Sequence, residues 1–206
     1  MGFYAKYILP KIIDFACGQE VMKAQRRLAA PLAHGRVLEV GIGSGHNLPF
    51  YDAAKVERVI GIDPGEELLA LARQRSRDVP FPVDLLPHGC ESIPLEDKSV
   101  DTVLVTFALC TIPGVEQALT QMRRVLKPGG SLIFCEHGRS PDAGVQPWQN
   151  RLNPLWKRCM GGCNLNRDMP TLINNSGFTL DRLETVYLKN VPRFAGYRYL
   201  GIAHAA

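Results

Sequence analysis

The chain has 206 residues, of which 46% are hydrophobic and 21% charged, and its formal net charge is +4. This composition is ordinary for a globular protein, and the length suffices for one α/β domain with a sizeable core. The basic residues are spread along the chain, so no nucleic-acid partner is expected. No apolar run reaches the roughly 18 residues of a membrane span, which predicts no transmembrane segment and leaves peripheral membrane contact by the N-terminus open.

The cysteines show neither metal-site spacing nor the pattern of a disulfide framework. They stand at Cys17, Cys90, Cys110, Cys135, Cys159 and Cys163. Cys110 and Cys135 fall in predicted buried strands, which suits a reducing compartment. We therefore expect a cytoplasmic protein without a bound metal.

The most informative stretch is VLEVGIGSGHN at residues 37–47. A buried strand ends here in a glycine turn, which we expect to lead directly into a helix. Gly41, Gly43 and Gly45 lack a Cβ atom, so the backbone can bend sharply and approach a ligand. The amides of the helix start would favour an anionic group. The dinucleotide fingerprint needs Gly or Ala where His46 stands, which disfavours a nicotinamide-dependent oxidoreductase.

Two acids stand at the ends of the first two predicted strands. Glu39 follows an apolar run, where a carboxylate is costly unless it meets a cation or a hydrogen-bond donor. Asp63 ends the strand over residues 58–63, near the roughly 20-residue offset at which an acid meets a ribose. Its carboxylate can accept from both ribose hydroxyls. The alternative is that Asp63 only caps the helix that begins after Pro64 and Gly65.

The rest of the chain completes an alternating pattern. A helical segment is predicted over 11–34, strands over 83–88, 101–109 and 131–136, and a helix over 115–127. Such alternation predicts a parallel sheet. Residues 178–187 and 193–203 follow one another without a helix and predict an antiparallel hairpin. The irregular insert 137–177 holds both tryptophans, Trp148 and Trp156, which either wall an apolar pocket or belong to the core.

The motif LEVGIGSG at residues 38–45 resembles the nucleotide-binding motif of class I S-adenosylmethionine-dependent methyltransferases. The turn at residues 89–91 and the LKPGG turn at residues 126–130 resemble the same family. The resemblance implies a single Rossmann-like domain over residues 1–206, with a mainly parallel seven-stranded sheet, a C-terminal antiparallel hairpin and helices on both faces. It also implies S-adenosylmethionine as cofactor and S-adenosylhomocysteine as product.

A narrower resemblance comes from the Glu136-His137 pair, the tryptophan-rich insert and GCNLNR at residues 162–167. These features, with residues 45–51 and Leu109-Cys110, are similar to the methyltransferase-like family that methylates small thiols in animals. Those proteins carry a long hydrophobic anchor at their start, which is not seen here, so membrane attachment is not expected to carry over. The implied activity is S-methylation of a small thiol by in-line displacement.

Two alternatives stay open. The chain could methylate nitrogen, oxygen or carbon of a phospholipid or quinone-type acceptor, or it could bind the cofactor without catalysis. The helical segment 1–34 either covers the cofactor as a lid or only packs on the core. The sequence leaves the oligomeric state open.

The candidate site residues follow from these motifs. Those expected to bind the cofactor are Glu39, Gly41, Gly43, Gly45, Asn47, Asp63, Pro64, Cys90, Glu91, Thr106 and Phe107. Those expected to bind the acceptor are Tyr4, Cys110, Trp148, Trp156, Cys163, Asn164 and Arg167. Many relatives have an adenine-reading Asp where Gly89 stands, so Cys90 and Glu91 would replace it. His137 is either the general base for an amine or phenol acceptor or a strand-end residue bonded to backbone.

Overall fold

The computed structural model describes residues 8–205, and Tyr4 therefore lies outside the described residues. The seven strands are β1 Gly35–Val40, β2 Val56–Ile62, β3 Val83–Leu86, β4 Val100–Thr106, β5 Leu126–His137, β6 Phe178–Tyr187 and β7 Tyr197–Ala205. The six α-helices are α1 Leu9–Cys17, α2 Glu20–Ala29, α3 Glu66–Arg75, α4 Val115–Val125, α5 Gln146–Cys159 and α6 Met169–Asn175. Over this range, none of the helices combines the length and the apolarity that a bilayer crossing requires.

All seven strands form one sheet, in the order β3-β2-β1-β4-β5-β7-β6. Pairing is parallel from β3 across to β5, and β7 pairs antiparallel with both β5 and β6. This confirms the predicted mainly parallel sheet with a C-terminal antiparallel hairpin. The strand order reverses between β1 and β4, and ligands of open α/β sheets bind in the crevice at the carboxyl ends of such strands.

Successive residues of the central strands enter two different cores, as expected when a sheet is covered on both faces. One core contains Leu38, Val40, Val103, Val105, Leu132 and Phe134. The other contains Val37, Leu104, Ile133 and Cys135. Helices α4 and α6 cover the first face through residues such as Met122 and Ile173. The end of α2 and helix α3 cover the second through Ala29 and Leu69.

The prediction of a helix directly after the glycine turn is wrong. Residues 41–47 form turns, and only a short 3-10 helix, Leu48–Phe50, precedes β2. Gly41, Gly43 and Gly45 have φ angles of 68°, 54° and 79°. Three left-handed residues in five positions are incompatible with a right-handed helix. The amides at this edge are therefore offered by a turn, not by a helix N-terminus.

The other boundaries differ from expectation by a few residues, each for a local reason. The segment 11–34 is divided into α1 and α2 at Gly18, where the sequence predicted an interruption. Strand β4 ends at Thr106 because Phe107 has a φ of 55° and turns the chain away from the sheet. Strand β5 begins at Leu126 and includes the LKPGG segment, with an irregular pairing to β4.

A pair of glycine substitutions tests how tightly the turn after β1 packs against β4. A Cβ atom on Gly41 would lie 2.5 Å from the Cβ of Ala108, whereas a Cβ on Gly129 would meet nothing within 4 Å, although both have positive φ. We expect Gly129→Ala to lower the free energy of unfolding by about 1 to 2 kcal/mol. Gly41→Ala should cost about 1 to 3 kcal/mol more, because it adds overpacking. Urea denaturation of the cofactor-free protein measures both, and equal losses would contradict the close contact.

Candidate active site

Asp63 joins the glycine turn to the end of β2. Its Oδ2 accepts from the backbone N–H of Gly43 at 3.0 Å, and its Oδ1 accepts from the N–H of Gly65 at 2.8 Å. Burial raises the pKa of this carboxyl group, and the two amide donors oppose that rise. A carboxylate has about four lone-pair sites, so Asp63 retains acceptor capacity for a ligand. Pro64 beside it is exposed.

Glu39 forms the buried floor beneath the turn and is only 2% exposed. Its Oε1 accepts from Asn47 Nδ2 at 2.8 Å, and its Oε2 accepts from the hydroxyl of Tyr51 at 2.7 Å. Burial raises its pKa to about 7, against the hydrogen bonds of Tyr51 and Asn47 and the charge of Arg26. Tyr51 is not among the site residues expected from sequence, because its contact with Glu39 depends on how the turn folds back.

Arg26 of α2 is a buried cation at the ends of β1 and β4. Its Nη1 donates to Asn47 Oδ1 at 3.1 Å and to Thr106 Oγ1 at 2.6 Å. Its guanidinium lies 5.6 Å from the ring centroid of Phe107. Among the described residues its Nε has no partner. No sequence motif predicts this role for Arg26. The one feature that could indicate it is a charged residue within an apolar helical stripe.

The loop at residues 107–110 after β4 is held by two side chains. Glu136 is fully buried and accepts from the backbone amides of Ala108, Leu109 and Cys110 at 2.7, 2.9 and 3.3 Å. Arg167 donates to the carbonyl of Leu109. Arg167 and Glu136 therefore both support this loop in the described structure. The sequence analysis names Glu136 as part of a motif but predicts no contact for it.

His137, Cys110 and Cys163 meet at the end of β5. Cys163 Sγ lies 3.0 Å from His137 Nε2 and 3.7 Å from Cys110 Sγ. The indole N–H of Trp156 donates to the same sulfur at 3.4 Å, and Asn164 Nδ2 donates to the carbonyl of Cys110 at 2.9 Å. The structure thus brings His137 together with four of the residues assigned to the acceptor, although the five come from four separate segments.

The charges of this cluster are strongly coupled. Hydrogen bonds from Cys110, His137 and Trp156 lower the pKa of Cys163 to about 4, although burial opposes them. The hydrogen bond to Cys163 and burial raise the pKa of Cys110 well above its ordinary value. Burial lowers the pKa of His137, but the contact with Cys163 outweighs it and raises the pKa. These contacts favour the thiolate form of Cys163 over that of Cys110.

Other candidates lie apart from this cluster. Trp148 on α5 is 59% exposed. Cys90 is buried and lies 3.9 Å from a carboxylate oxygen of Glu91, whose other oxygen accepts from the N–H of Gly114 at 3.4 Å. Cys90 and Glu91 therefore lie next to the start of α4.

Helix α1 is fastened to the glycine turn by Asp14. Its carboxylate accepts from Ser44 Oγ at 2.6 Å and from Arg75 Nη1 at 3.1 Å, and it pairs with His46 Nε2 at 2.9 Å. A cavity of about 490 Å³ lies beside these contacts, between α1 and the turn, and contains none of the residues assigned to the cofactor. Helix α1 is thus held directly against the turn.

The raised pKa of Glu39 makes stability depend on pH. A carboxyl group whose pKa rises from 4.5 to about 7 on folding stabilises the folded state below pH 4.5 and loses that contribution as pH rises through 7. The shift corresponds to about 3 kcal/mol. Tyr51, Arg26 and Asp63 are the ionisable groups that act on it.

Glu39→Gln should therefore remove this share of the pH dependence. The free energy of unfolding of the cofactor-free variant, measured in urea from about pH 5 to pH 7, should fall less than that of the unmodified protein. Glu57→Gln, at an exposed position of β2, is the matched control and should keep the full slope. Parallel slopes for all three proteins would contradict a neutral Glu39.

The sequence is similar to known methyltransferases. A family model described as a methyltransferase domain matches residues 38–134. Human thiol S-methyltransferase TMT1A is 31% identical over 172 residues, covering 82% of this chain and 70% of the relative. Rat thiol S-methyltransferase TMT1B is 34% identical, covering 72% and 62%. A phosphatidylethanolamine N-methyltransferase of Cereibacter sphaeroides is 35% identical, covering 66% and 69%. The chain thus spans about two thirds of the length of these relatives.

The fold is also similar to that of solved methyltransferase structures. A solved methyltransferase structure from Thermotoga maritima superposes with a TM-score of 0.71 at 19% identity and covers 98% of each chain. Identity this low supports the fold only. The similarity to human TMT1A over 82% of this chain and 70% of that relative shows that this chain belongs to the class I S-adenosylmethionine-dependent methyltransferases, and the strand order agrees with that family.

Proposed function

We propose that this protein transfers the methyl group of S-adenosylmethionine to the sulfur of a small thiol. The observation that carries the proposal is the set of hydrogen-bonding groups at the acceptor end. His137 and the indole N–H of Trp156 both lie within hydrogen-bond distance of the sulfur of Cys163, so this end of the site favours a thiolate. Cationic and hydrogen-bonding groups lower a thiol pKa and stabilise a thiolate. The similarity to two thiol S-methyltransferases supports the same acceptor class.

Among the described residues, the two candidate bases at the acceptor end already face other groups, so neither is placed to deprotonate an amine. Both oxygens of Glu136 are taken by three backbone amides, and His137 Nε2 faces Cys163. An ammonium acceptor would have to lose a proton before it attacked, whereas a thiol with a pKa near 8.5 is already a few per cent thiolate at neutral pH. This contrast favours sulfur over nitrogen.

The residues at the cofactor end fit S-adenosylmethionine. Arg26 is a buried cation with an unpartnered Nε, suited to the carboxylate of the methionine portion. Asp63 would accept from the ribose hydroxyls, and the turn at Gly41, Gly43 and Gly45 would receive the ligand against its backbone. Asn47, Thr106 and Phe107 would surround the same portion, with Glu39 ordering Asn47 from below. When bound, the cofactor supplies an electrophilic methyl group.

The protein's contribution is then mainly positioning. The loop at residues 107–110 would hold the acceptor sulfur in line with the methyl group, and alignment of this kind can supply much of the acceleration. The thiol proton leaves to water before the attack. Helices α1 and α2 would act as the lid that excludes water. Because the chemistry needs reduced thiols, we place the activity in the cytoplasm.

A second candidate is methylation of a lipid at a membrane surface. Helix α1 and its N-cap expose Ile8, Ile12 and Phe15, and Phe15 is 73% exposed. These positions are four and three residues apart and share one helix face. An apolar face of this kind suits contact with a bilayer, and the Cereibacter sphaeroides relative is named for a phospholipid acceptor.

Substitution of Asp63 tests the cofactor assignment. Asp63→Asn should weaken S-adenosylmethionine binding by about 10- to 100-fold, because hydrogen bonds to a charged group contribute about 1.5 to 3 kcal/mol. Asp84→Asn, at an exposed aspartate of β3 that pairs with Arg58, is the matched control and should bind normally. Isothermal titration calorimetry measures both, with circular dichroism to check folding. Equal affinities would reject the ribose role.

A methyl-transfer screen tests the acceptor. With radiolabelled S-adenosylmethionine, we expect label in the products of small thiols and none in those of amines, phenols or phosphatidylethanolamine vesicles. Label only in the vesicle lipid would instead support the second candidate. Cofactor binding without label in any product would show a non-catalytic binding protein.

A further inference from the structure

Three metal-binding side chains converge next to the acceptor end. Cys110 lies in the loop after β4, His137 ends β5, and Cys163 lies between α5 and α6. Their ligand atoms all lie within 4.8 Å of one another. The residues are separated by 26 positions or more in sequence, so the cluster shows no spacing motif and is formed only by the fold.

The sulfur–sulfur distance suits a tetrahedral zinc ion. With Zn–S bonds of about 2.3 Å and Zn–N bonds of about 2.1 Å, two sulfur ligands lie about 3.8 Å apart and a sulfur and a nitrogen about 3.6 Å apart. The observed Sγ–Sγ distance is 3.7 Å. His137 Nε2 lies 3.0 Å from Cys163 Sγ, and all three ligand atoms lie within 4.8 Å of one another. The imidazole would therefore need to move away from Cys163 and toward Cys110, by up to about 2 Å, to bind the same ion.

Hydrogen bonds with surrounding residues fix the positions of both cysteine ligands. Glu136 and Asn164 hold the backbone of Cys110 through its amide and its carbonyl. Trp156 donates to Cys163 Sγ. His137 Nδ1 is buried and has no partner among the described residues. It is the ring nitrogen that does not face Cys163, so Nε2 is the nitrogen that would bind the ion.

The cluster is also accessible and close to the cofactor end. His137 and Cys163 are each only half-buried. The charges of Arg26 and Cys163 both act on the pKa of Cys17 at the end of α1. Cys17 is therefore near both Arg26 at the cofactor end and Cys163 in the cluster.

We propose that Cys110, His137 and Cys163 bind a zinc ion whose fourth coordination position receives the sulfur of the acceptor thiol. Two sulfurs and one nitrogen with one open position is a ligand set of catalytic zinc sites. The metal site stands by itself, whereas its role in activating the acceptor rests on the proposed thiol methylation.

The chemical steps balance without a further reactant. Metal binding displaces two protons to solvent, the thiol proton of Cys110 and the proton between Cys163 and His137 Nε2. The acceptor thiol loses its proton to water as its sulfur fills the fourth position. A sulfur electron pair then forms the new carbon–sulfur bond, and the electrons of the broken methyl–sulfonium bond stay on the departing sulfur. The neutral thioether product is a weaker zinc ligand than the thiolate and leaves.

Cobalt titration of the reduced full-length protein tests the site directly. We expect tetrahedral d–d bands and a thiolate-to-cobalt charge-transfer band, both lost on addition of Zn²⁺. Cys110→Ser and Cys163→Ser should each abolish the charge-transfer intensity or reduce it strongly. Cys159→Ser, at an exposed cysteine on α5, should leave the spectrum unchanged. Absence of these bands in the unmodified reduced protein overturns the site, whatever the variants do.

Zinc removal separates this inference from the proposed function. Chelation should leave S-adenosylmethionine affinity unchanged and lower thiol turnover at pH 7 by about 30-fold, the difference between a full thiolate and a thiol with a pKa near 8.5. Unchanged turnover after zinc removal overturns the activating role.

Thiol turnover in a protein that binds no metal leaves the proposed function standing and rejects the zinc site. Metal binding without thiol turnover leaves the zinc site standing and rejects the proposed function. A Cys110–Cys163 disulfide in protein that binds neither metal would identify a redox pair instead.

Discussion

The arrangement of the site depends on one buried cation. Arg26 is 5% exposed and reaches from α2 to Asn47 and Thr106, which belong to the glycine turn and to the end of β4. A buried guanidinium is costly unless its donors are satisfied. The contacts therefore fix α2, the turn and β4 relative to one another. Through Asn47 the same network reaches Glu39 at the end of β1.

Two buried glutamates fix the backbone around the site in different ways. Glu39 receives side-chain donors, and Glu136 receives three consecutive backbone amides. Both have a pKa raised to about 7 by burial. Glu136 stabilises a loop in which Phe107 has a φ of 55°, a conformation that a bulky residue adopts only when its surroundings impose it. Strain at the acceptor end is thus balanced by hydrogen bonds from the neighbouring strand.

The sequence predicts well what is encoded locally. Strand β6 has the predicted bounds, and the glycine turn and the C-terminal hairpin were correctly located because their residues are contiguous. Asp168 caps α6 by accepting from the N–H of Thr171, a local contact between residues three positions apart. The helix after β1 was wrongly predicted because the glycine motif was interpreted from its usual continuation. The roles of Arg26 and Glu136 depend on residues many positions away, which no local pattern reports.

The acceptor chemistry resides outside the part of the fold that relatives share most widely. The sheet superposes on a structure with 19% identity, and such a scaffold supports many reactions. By contrast, the residues that surround Cys163 come from α5, the end of β5 and the loop after β4. The matched methyltransferase model ends at residue 134, so it stops before His137, Trp156 and Cys163. Under the proposed function, the residues that would select a thiol over another acceptor lie mainly in the insert at residues 137–177.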